Sequence, residues 1–309
     1  MTDTHLPVLP TETLAALNLH PNGIYVDGTF GRGGHTAAIL KGLGPHGRLL
    51  ALDRDPDAAR WAAQQFGDDP RFTFIQTPFR RLATVLKEQG CLGQVNGILL
   101  DLGVSSPQLD DAERGFSFRR HGPLDMRMDP LAGVSAADWL NRIGEAELDQ
   151  VLVEYGEERF HRRVARAIVS ARQQTLLTTT TQLATLVAAV VPTREPGRHP
   201  ATRTFQAIRI AVNDELGELQ AALPQAVSAL AAGGRLAVIS FHSLEDRMVK
   251  QFLREQAKGR ELPLGLPVMG KPEGQTLRLI GRAIRPGAAE AAANPRAHSA
   301  TLRIAERLA

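Results

Sequence analysis

The chain has 309 residues, enough for one large or two smaller domains, and its 43% hydrophobic and 22% charged content excludes a disordered or fibrous protein. A single cysteine, Cys91, excludes an intramolecular disulfide and a cysteine-cluster metal site and fits a reducing compartment. The net charge of +3 hides an uneven distribution: nine arginines against four acids between residues 151 and 211, and six against two between 278 and 309.

Such concentrations are what a polyanion-binding surface needs, and a solvated helix face can equally show them. The N-terminal residues lack the basic-then-apolar pattern of a signal peptide, and no run of about 18 apolar residues occurs. A cytoplasmic protein without a membrane span is therefore expected.

A helix starting near Thr11 comes first. Apolar runs at 24–27, 49–53, 72–76 and 97–102 then alternate with helix-like stretches such as 36–43, which predicts βαβ units and a parallel sheet with right-handed crossovers. The first run ends in Asp27 and opens into Gly28-Thr29-Phe30-Gly31-Arg32-Gly33-Gly34-His35. Glycine permits positive φ and lets a ligand lie against bare peptide. Asp53, at the tip of the second run, can accept hydrogen bonds from both hydroxyls of a ribose. Asp101 ends the fourth run and faces the same crevice, since ligands of such sheets sit at the strand C-termini.

The glycine spacing narrows the ligand. Gly31-x-Gly33-Gly34-x-Thr36 lacks the third glycine of a dinucleotide fingerprint, and the Asp27 carboxylate would repel a pyrophosphate while attracting an ammonium. S-adenosylmethionine has an ammonium, a carboxylate and a ribose but no phosphate, and fits better than NAD. The alternative is a tight loop with no ligand.

The strand pattern stops after Leu102. Residues 105–130, rich in Gly, Pro, Asp and Arg, read as a long functional loop. Helices are predicted at 135–142, 145–155, 158–173 and 179–191, the last opened by a Thr179/Gln182 capping box and closed by Pro192. In the third, Phe160, Val164, Ile168 and Ala171 form an apolar stripe, with Arg159, Arg162, Arg163 and Arg166 elsewhere on the surface. A helical region at 204–232 leads through Gly233-Gly234 into a strand ending near His242. Runs at 276–280 and 300–305 suit an antiparallel pair at the sheet edge. The expected organisation is a core of residues 1–108 and 206–309 interrupted by a helical insertion, 109–205.

Several long motifs carry a resemblance. They are Asp27 to His35, Asp101-Leu-Gly-Val-Ser-Ser-Pro-Gln-Leu-Asp110, Arg114-Gly-Phe-Ser-Phe118, Gly122-Pro-Leu-Asp-Met-Arg-Met128, Tyr155-Gly-Glu-Glu158, His199-Pro-Ala-Thr-Arg-Thr-Phe-Gln206 and Ser240-Phe-His-Ser-Leu-Glu-Asp-Arg247. Together, from about His5 to Arg307, the chain resembles the bacterial 16S rRNA cytosine-N4 methyltransferases, the RsmH or MraW family. The resemblance implies a class I S-adenosylmethionine-dependent methyltransferase, an α/β Rossmann-like fold with a mostly parallel sheet and an inserted all-α domain for substrate recognition. It implies methyl transfer to the exocyclic amine of a cytidine in the decoding centre, at the peptidyl site, with 16S rRNA of the small ribosomal subunit as partner. Carried over by position, the cofactor contacts fall on Gly33, Gly34, His35, Asp53, Phe79, Asp101 and Gln108. Residues 263–275 are too loosely patterned to align.

The residues themselves suit these roles. Amides of Gly33 to His35 open a helix and can bind a carboxylate at its positive end. Phe79 can cover an adenine face or pack in the core. Asp101 can face the sulfonium or cap the following turn, and His35 can contribute only its backbone.

The catalytic residues are less legible. The cytosine amine delocalises its lone pair into the ring, so an enzyme must align it and accept its protons. Asp101-Leu-Gly-Val-Ser-Ser-Pro replaces the Asp/Asn-Pro-Pro-aromatic motif of many amine methyltransferases. Candidate acceptors are Asp101, carbonyls near Ser105 and Ser106, and His242, with Phe241 either stacking on a flipped base or packing in the core. Ser243 with Asp246 reads as a capping box. The scattered histidines match no zinc spacing, so no metal site is expected. Competing functions are a non-enzymatic rRNA assembly factor, a DNA or protein methyltransferase, and an NAD-dependent reductase. The oligomeric state is open, a homodimer included.

Overall fold

A computed structural model describes residues 7–192, 199–259 and 274–309. Arg194 and Arg198, and most of the loosely patterned segment before residue 276, lie outside the described residues. The described residues form two compact units, one of Met1–Gly103 with Leu216–Ala309, the other Val104–Glu215.

In the first unit, side chains alternate across each strand and so build two apolar faces from one sheet. The strands are β1 (Ile24–Asp27), β2 (Arg48–Asp53), β3 (Phe72–Gln76), β4 (Val95–Asp101), β5 (Leu230–Ser240), β6 (Leu277–Leu279) and β7 (Thr301–Arg307). Their order is β3-β2-β1-β4-β5-β7-β6. The first five run parallel, while β7 is antiparallel to both β5 and β6.

Val26, Leu50, Leu52, Ile98, Leu100, Leu236 and Val238 pack on one face with residues of α4 (Leu82–Glu88), α11 (Glu215–Ala229) and α12 (Ser243–Lys258). Tyr25, Leu49, Leu99, Ala237 and Ile239 pack on the other, with α1 (Pro10–Leu17) and α2 (Gly34–Gly42). Helix α3 (Pro56–Phe66) follows β2, its N-terminus capped by Asp55. Among the described residues, the remaining α-helix of this unit is α13 (Ala288–Ala293).

The antiparallel pair expected from 276–280 and 300–305 is present, but β7 lies inside the sheet and only β6 is at the edge. The helical region expected at 204–232 is two helices. Asp214 adopts φ 49° and separates α10 (Thr202–Asn213) from α11. Strand β5 begins before the glycines that sequence reading placed at its start. Val95 pairs with Leu230 and Gly97 with Arg235, so residues 231–234 bulge from the register, with Gly233 at φ 78°.

The second unit contains α5 (Ser106–Asp110), α6 (Ala136–Arg142), α7 (Glu145–Glu154), α8 (His161–Gln174), α9 (Thr180–Val190) and α10. The capping box expected at Thr179 and Gln182 is formed. On α8 the buried positions are Val164, Ala165 and Ile168, with Phe160 and Ala171 half-buried. The boundaries expected at 108/109 and 205/206 fall instead at 103/104 and 215/216. Gln108 is buried within the second unit, and α10 supplies Phe205, Ala207 and Ile208 to its core.

The segment read as a long loop is largely structured. It holds α5 and a 3₁₀ turn, Ala112–Arg114, and it sends Phe116, Leu124, Met126 and Met128 into the same core. Buried Asn213 secures it, accepting from the Met128 amide at 2.8 Å and donating to the Met126 carbonyl at 2.7 Å.

Candidate active site at the strand tips

The loop after β1 is fixed by its own short bonds. The Gly28 amide donates to the Leu99 carbonyl, Phe30 to Leu52 and Gly33 to Phe30, at 2.8–3.0 Å. A Cβ on Gly28 would meet Leu100 Cδ2 at 2.6 Å, so that side chain would have to move, and Gly33 at φ +72° sits where side chains are strained. Gly33 occupies the N-cap position of α2, so the N-cap residue itself has no side chain with which to cap that helix. The first-turn amides lie at the positive end of the helix dipole, where they suit an anionic group of a ligand.

Asp27 is buried at the tip of β1. Its Oδ2 accepts from Thr36 Oγ1 at 2.8 Å and its Oδ1 from the Thr29 amide at 3.2 Å. Burial raises its pKa, although His35 and the Thr36 hydroxyl oppose the shift.

His35, also buried, sets Nε2 3.5 Å from Oδ2 of Asp101 at the tip of β4. Burial disfavours the imidazolium, but Asp101 and Asp27 together outweigh it and raise the His35 pKa above 6.5. Thr29 Oγ1 accepts from the Asp101 amide at 2.6 Å and ties the tips of β1 and β4 together.

Asp53, at the tip of β2, accepts from the Gly31 amide at 2.8 Å and the Asp55 amide at 2.9 Å. Burial pushes its pKa up to about 6 against the pull of those two amides, with repulsion from Asp55 and Asp27 adding to the rise. Each carboxylate oxygen keeps a further lone pair for a ligand hydroxyl. Phe79 opens a 3₁₀ turn after β3, half-buried against the core, with its Cβ 3.9 Å from where a Gly28 Cβ would sit.

At the tip of β5, His242 is the N-cap of α12 in a capping box with Glu245. Its Nδ1 accepts from the Glu245 amide at 3.4 Å and its Nε2 lies 3.1 Å from Glu245 Oε1, so both ring nitrogens face one residue. The box expected from Ser243 and Asp246 is not the one formed, because Asp246 receives a bidentate bond from Arg303 at 2.7 and 2.9 Å. Phe241 packs half-buried beside the α1 and α2 side of the core.

Six of the seven expected cofactor residues thus lie in the first unit at the carboxyl ends of its strands or the turns that follow. Gln108 lies in the second unit, where its side chain closes a capping box with Ser105 at 2.9 Å. Sequence reading missed Thr29 and Thr36, whose only signal is a hydroxyl residue beside a strand-tip Asp. It also missed Thr77, just after β3.

Buried side-chain polar atoms without an aligned hydrogen bond, among the described residues, include both ring nitrogens of His35, Asp101 Oδ1 and Thr77 Oγ1. Orphaned groups of this kind mark where a ligand or water completes the bonding. A helix start with glycine at its N-cap, a glycine-rich loop and a free carboxylate oxygen fit a ligand with a carboxylate, an ammonium and a ribose.

A family model described as the MraW methylase family matches residues 2–308. The chain belongs to the MraW methylase family. It is 62% identical over 306 residues to the Ribosomal RNA small subunit methyltransferase H of Thioalkalivibrio sulfidiphilus (strain HL-EbGR7), covering 99% of this chain and 98% of that one. It is 59% identical over 310 residues to the protein of the same name in Thiobacillus denitrificans (strain ATCC 25259 / T1), covering 100% and 99%. A solved rRNA-methylase candidate from Clostridium thermocellum is 12% identical, with a TM-score of 0.48 over 98% of this chain and all of its own. As a methylase of this family the chain is an enzyme of the class I methyltransferase fold, and its mostly parallel sheet agrees. No helix among the described residues is long and apolar enough to cross a membrane.

Proposed function

We propose that this chain methylates small-subunit ribosomal RNA, taking the methyl group from S-adenosylmethionine and placing it on the N4 amine of a cytidine in the decoding centre, at the peptidyl site of 16S rRNA. It would do so in the cytoplasm, on RNA held within the small ribosomal subunit. Full-length similarity to two relatives named for small-subunit rRNA methylation supports the substrate class. One structural observation carries the chemistry: the orphaned Oδ1 of Asp101 at the β4 tip, in the unit that also holds the glycine N-cap of α2 and the carboxylate of Asp53.

In this reading the amides of Gly34 and His35 hold the donor's carboxylate, Asp53 its ribose hydroxyls and Phe79 its adenine face. The bound donor supplies an electrophilic methyl group on a sulfonium. Asp101 accepts an N–H, either from the donor's ammonium or from the target amine, and water takes the proton released after transfer. Holding the weakly nucleophilic amine in line is the main task of the protein groups. Gln108 keeps its expected donor contact on the resemblance alone, and His242, which caps α12 through Nδ1 and leaves a buried Nε2 without an aligned hydrogen bond 3.1 Å from Glu245, is the second catalytic candidate.

The test is methylation of small subunits isolated from cells lacking this protein, using labelled S-adenosylmethionine, followed by mass spectrometry of the nucleosides. N4-methylated cytidine is the expected product. Label on another atom would overturn the N4 assignment, and no label in rRNA would overturn the substrate class.

A further inference from the structure

The exposed face of α8 is more basic than folding requires. Its sequence, HRRVARAIVSARQQ, contains no acid, while Val164, Ala165 and Ile168 bury the opposite side. Arg159, in the turn before the helix, and Arg162, Arg163 and Arg166 on it are all exposed. Among the described residues, the side chains of Arg159, Arg162 and Arg163 meet no acid. Arg166 approaches Glu145 at 3.8 Å, with the arginine side chain mostly and the glutamate side chain about half in solvent.

The nearby acids are engaged otherwise. Asp149 faces His161 at 2.5 Å, Glu154 accepts from Gln150, and buried Glu158 accepts from the Phe160 amide. By contrast, several other arginines of this unit have protein partners. Arg209 pairs with Glu215, Arg203 donates to the Glu157 carbonyl, and Arg172 donates to the Leu140 carbonyl.

Unpaired like charges repel one another and cost stability, so a stripe of them without counter-charge suits an anionic partner. Arg162, Arg163 and Arg166 fall within about one helical turn, roughly 6 Å along the axis. Planar guanidinium forks at that spacing suit a run of phosphates, which they bind two bonds at a time.

Resting on the reading that the substrate is small-subunit rRNA, we infer that Arg159, Arg162, Arg163 and Arg166 form a docking face for its phosphate backbone, supplying affinity without reading sequence. Phosphate contacts fix register and orientation, and base contacts specify. The face therefore acts on RNA affinity, not on methyl transfer.

The experiment uses the full chain and its Arg162→Gln/Arg163→Gln/Arg166→Gln variant, checked for an unchanged unfolding midpoint and unchanged S-adenosylmethionine affinity. Binding to transcribed 16S rRNA is measured across a series of KCl concentrations. The slope of log K against log salt should fall by about 2, since each single-strand phosphate contact contributes about 0.7. The KM for the RNA substrate should rise about tenfold, with kcat within about twofold. A triple Lys variant should restore most of the salt slope.

An unchanged slope and KM would overturn the inference. So would a loss confined to assembled subunits with naked rRNA bound normally, which would assign the face to a ribosomal protein. If wild-type protein binds and methylates no rRNA, the proposed function fails, and this inference with it.

Discussion

Nε2 of His35 sits 3.5 Å from Oδ2 of Asp101, and the same ring feels the buried carboxylate of Asp27. One buried imidazole thus faces two acids, and the linkage sign follows from the directions of their shifts. An unfolded histidine titrates near 6.5 and His35 is raised above that, so its stabilisation is complete below about pH 6.5 and is lost as pH climbs through the raised value. Asp27, raised above 3.8, acts in the same sense, because the folded chain holds its proton more tightly. Urea unfolding at pH 6, 7.5 and 9 should show stability declining with pH. His35→Asn should lose about 3 kcal/mol at pH 6, as expected when one partner of a buried pair is removed, and should flatten the decline. An undiminished slope in the variant would remove His35 from the account.

Asp53 makes the opposite prediction for ligand binding. Its carboxyl titrates at about 6 in the folded chain, and the ionised form is the better acceptor for two hydroxyls. Donor affinity should therefore hold between pH 8 and 7 and weaken about tenfold by pH 5, one pH unit below that value. Asp53→Asn, neutral throughout, should bind weakly with little pH dependence. Calorimetric titration of S-adenosylmethionine decides it: wild-type affinity constant down to pH 5 would take the ribose contact away from Asp53.

The strand tips were legible in the sequence because each ends an apolar run, and a strand buried on both faces reads as a continuous one. β1 and β3 have the bounds that their apolar runs suggest. Glycines at positive φ announced the loop between Asp27 and His35 for the same reason: few other residues tolerate Gly33's conformation beside Phe66. Residues 105–130 were not legible. Their composition says loop, yet Asn213, some 85 residues distant in sequence, supplies the bonds that a strand or helix would supply internally. Nothing in the sequence around Asn213 distinguishes it from an ordinary residue near a helix end. Likewise, the αL turn at Asp214 that splits the helical region depends on a single φ angle.

That long-range bond is itself testable. Asn213→Ala would leave the Met128 amide and the Met126 carbonyl unsatisfied in a buried site, and Met126 already sits at φ 60°. Each buried orphan costs about 1–3 kcal/mol, so a total loss of about 2–5 kcal/mol is expected. Hydrogen exchange should show the amides of residues 124–128 losing protection first, while those of β1, β4 and β5 keep theirs. Uniform loss across both units would mean the segment is held by other means.

His242 separates a structural role from a catalytic one. Both its ring nitrogens are directed at Glu245, and the Glu245 carboxylate also accepts from the Phe241 amide at 2.8 Å, so the pair closes the first turn of α12 reciprocally. A cap of this kind is worth about 1 kcal/mol. His242→Asn, which can still cap, should retain stability within a few tenths of that figure. His242→Ala should lose it, and both should keep kcat within about threefold of wild type. The two variants together are decisive, because a general base would fail in both, whereas a cap fails only in alanine. A fall of about a hundredfold in kcat for the stable asparagine variant would restore His242 to the chemistry and leave Asp101 with donor binding alone.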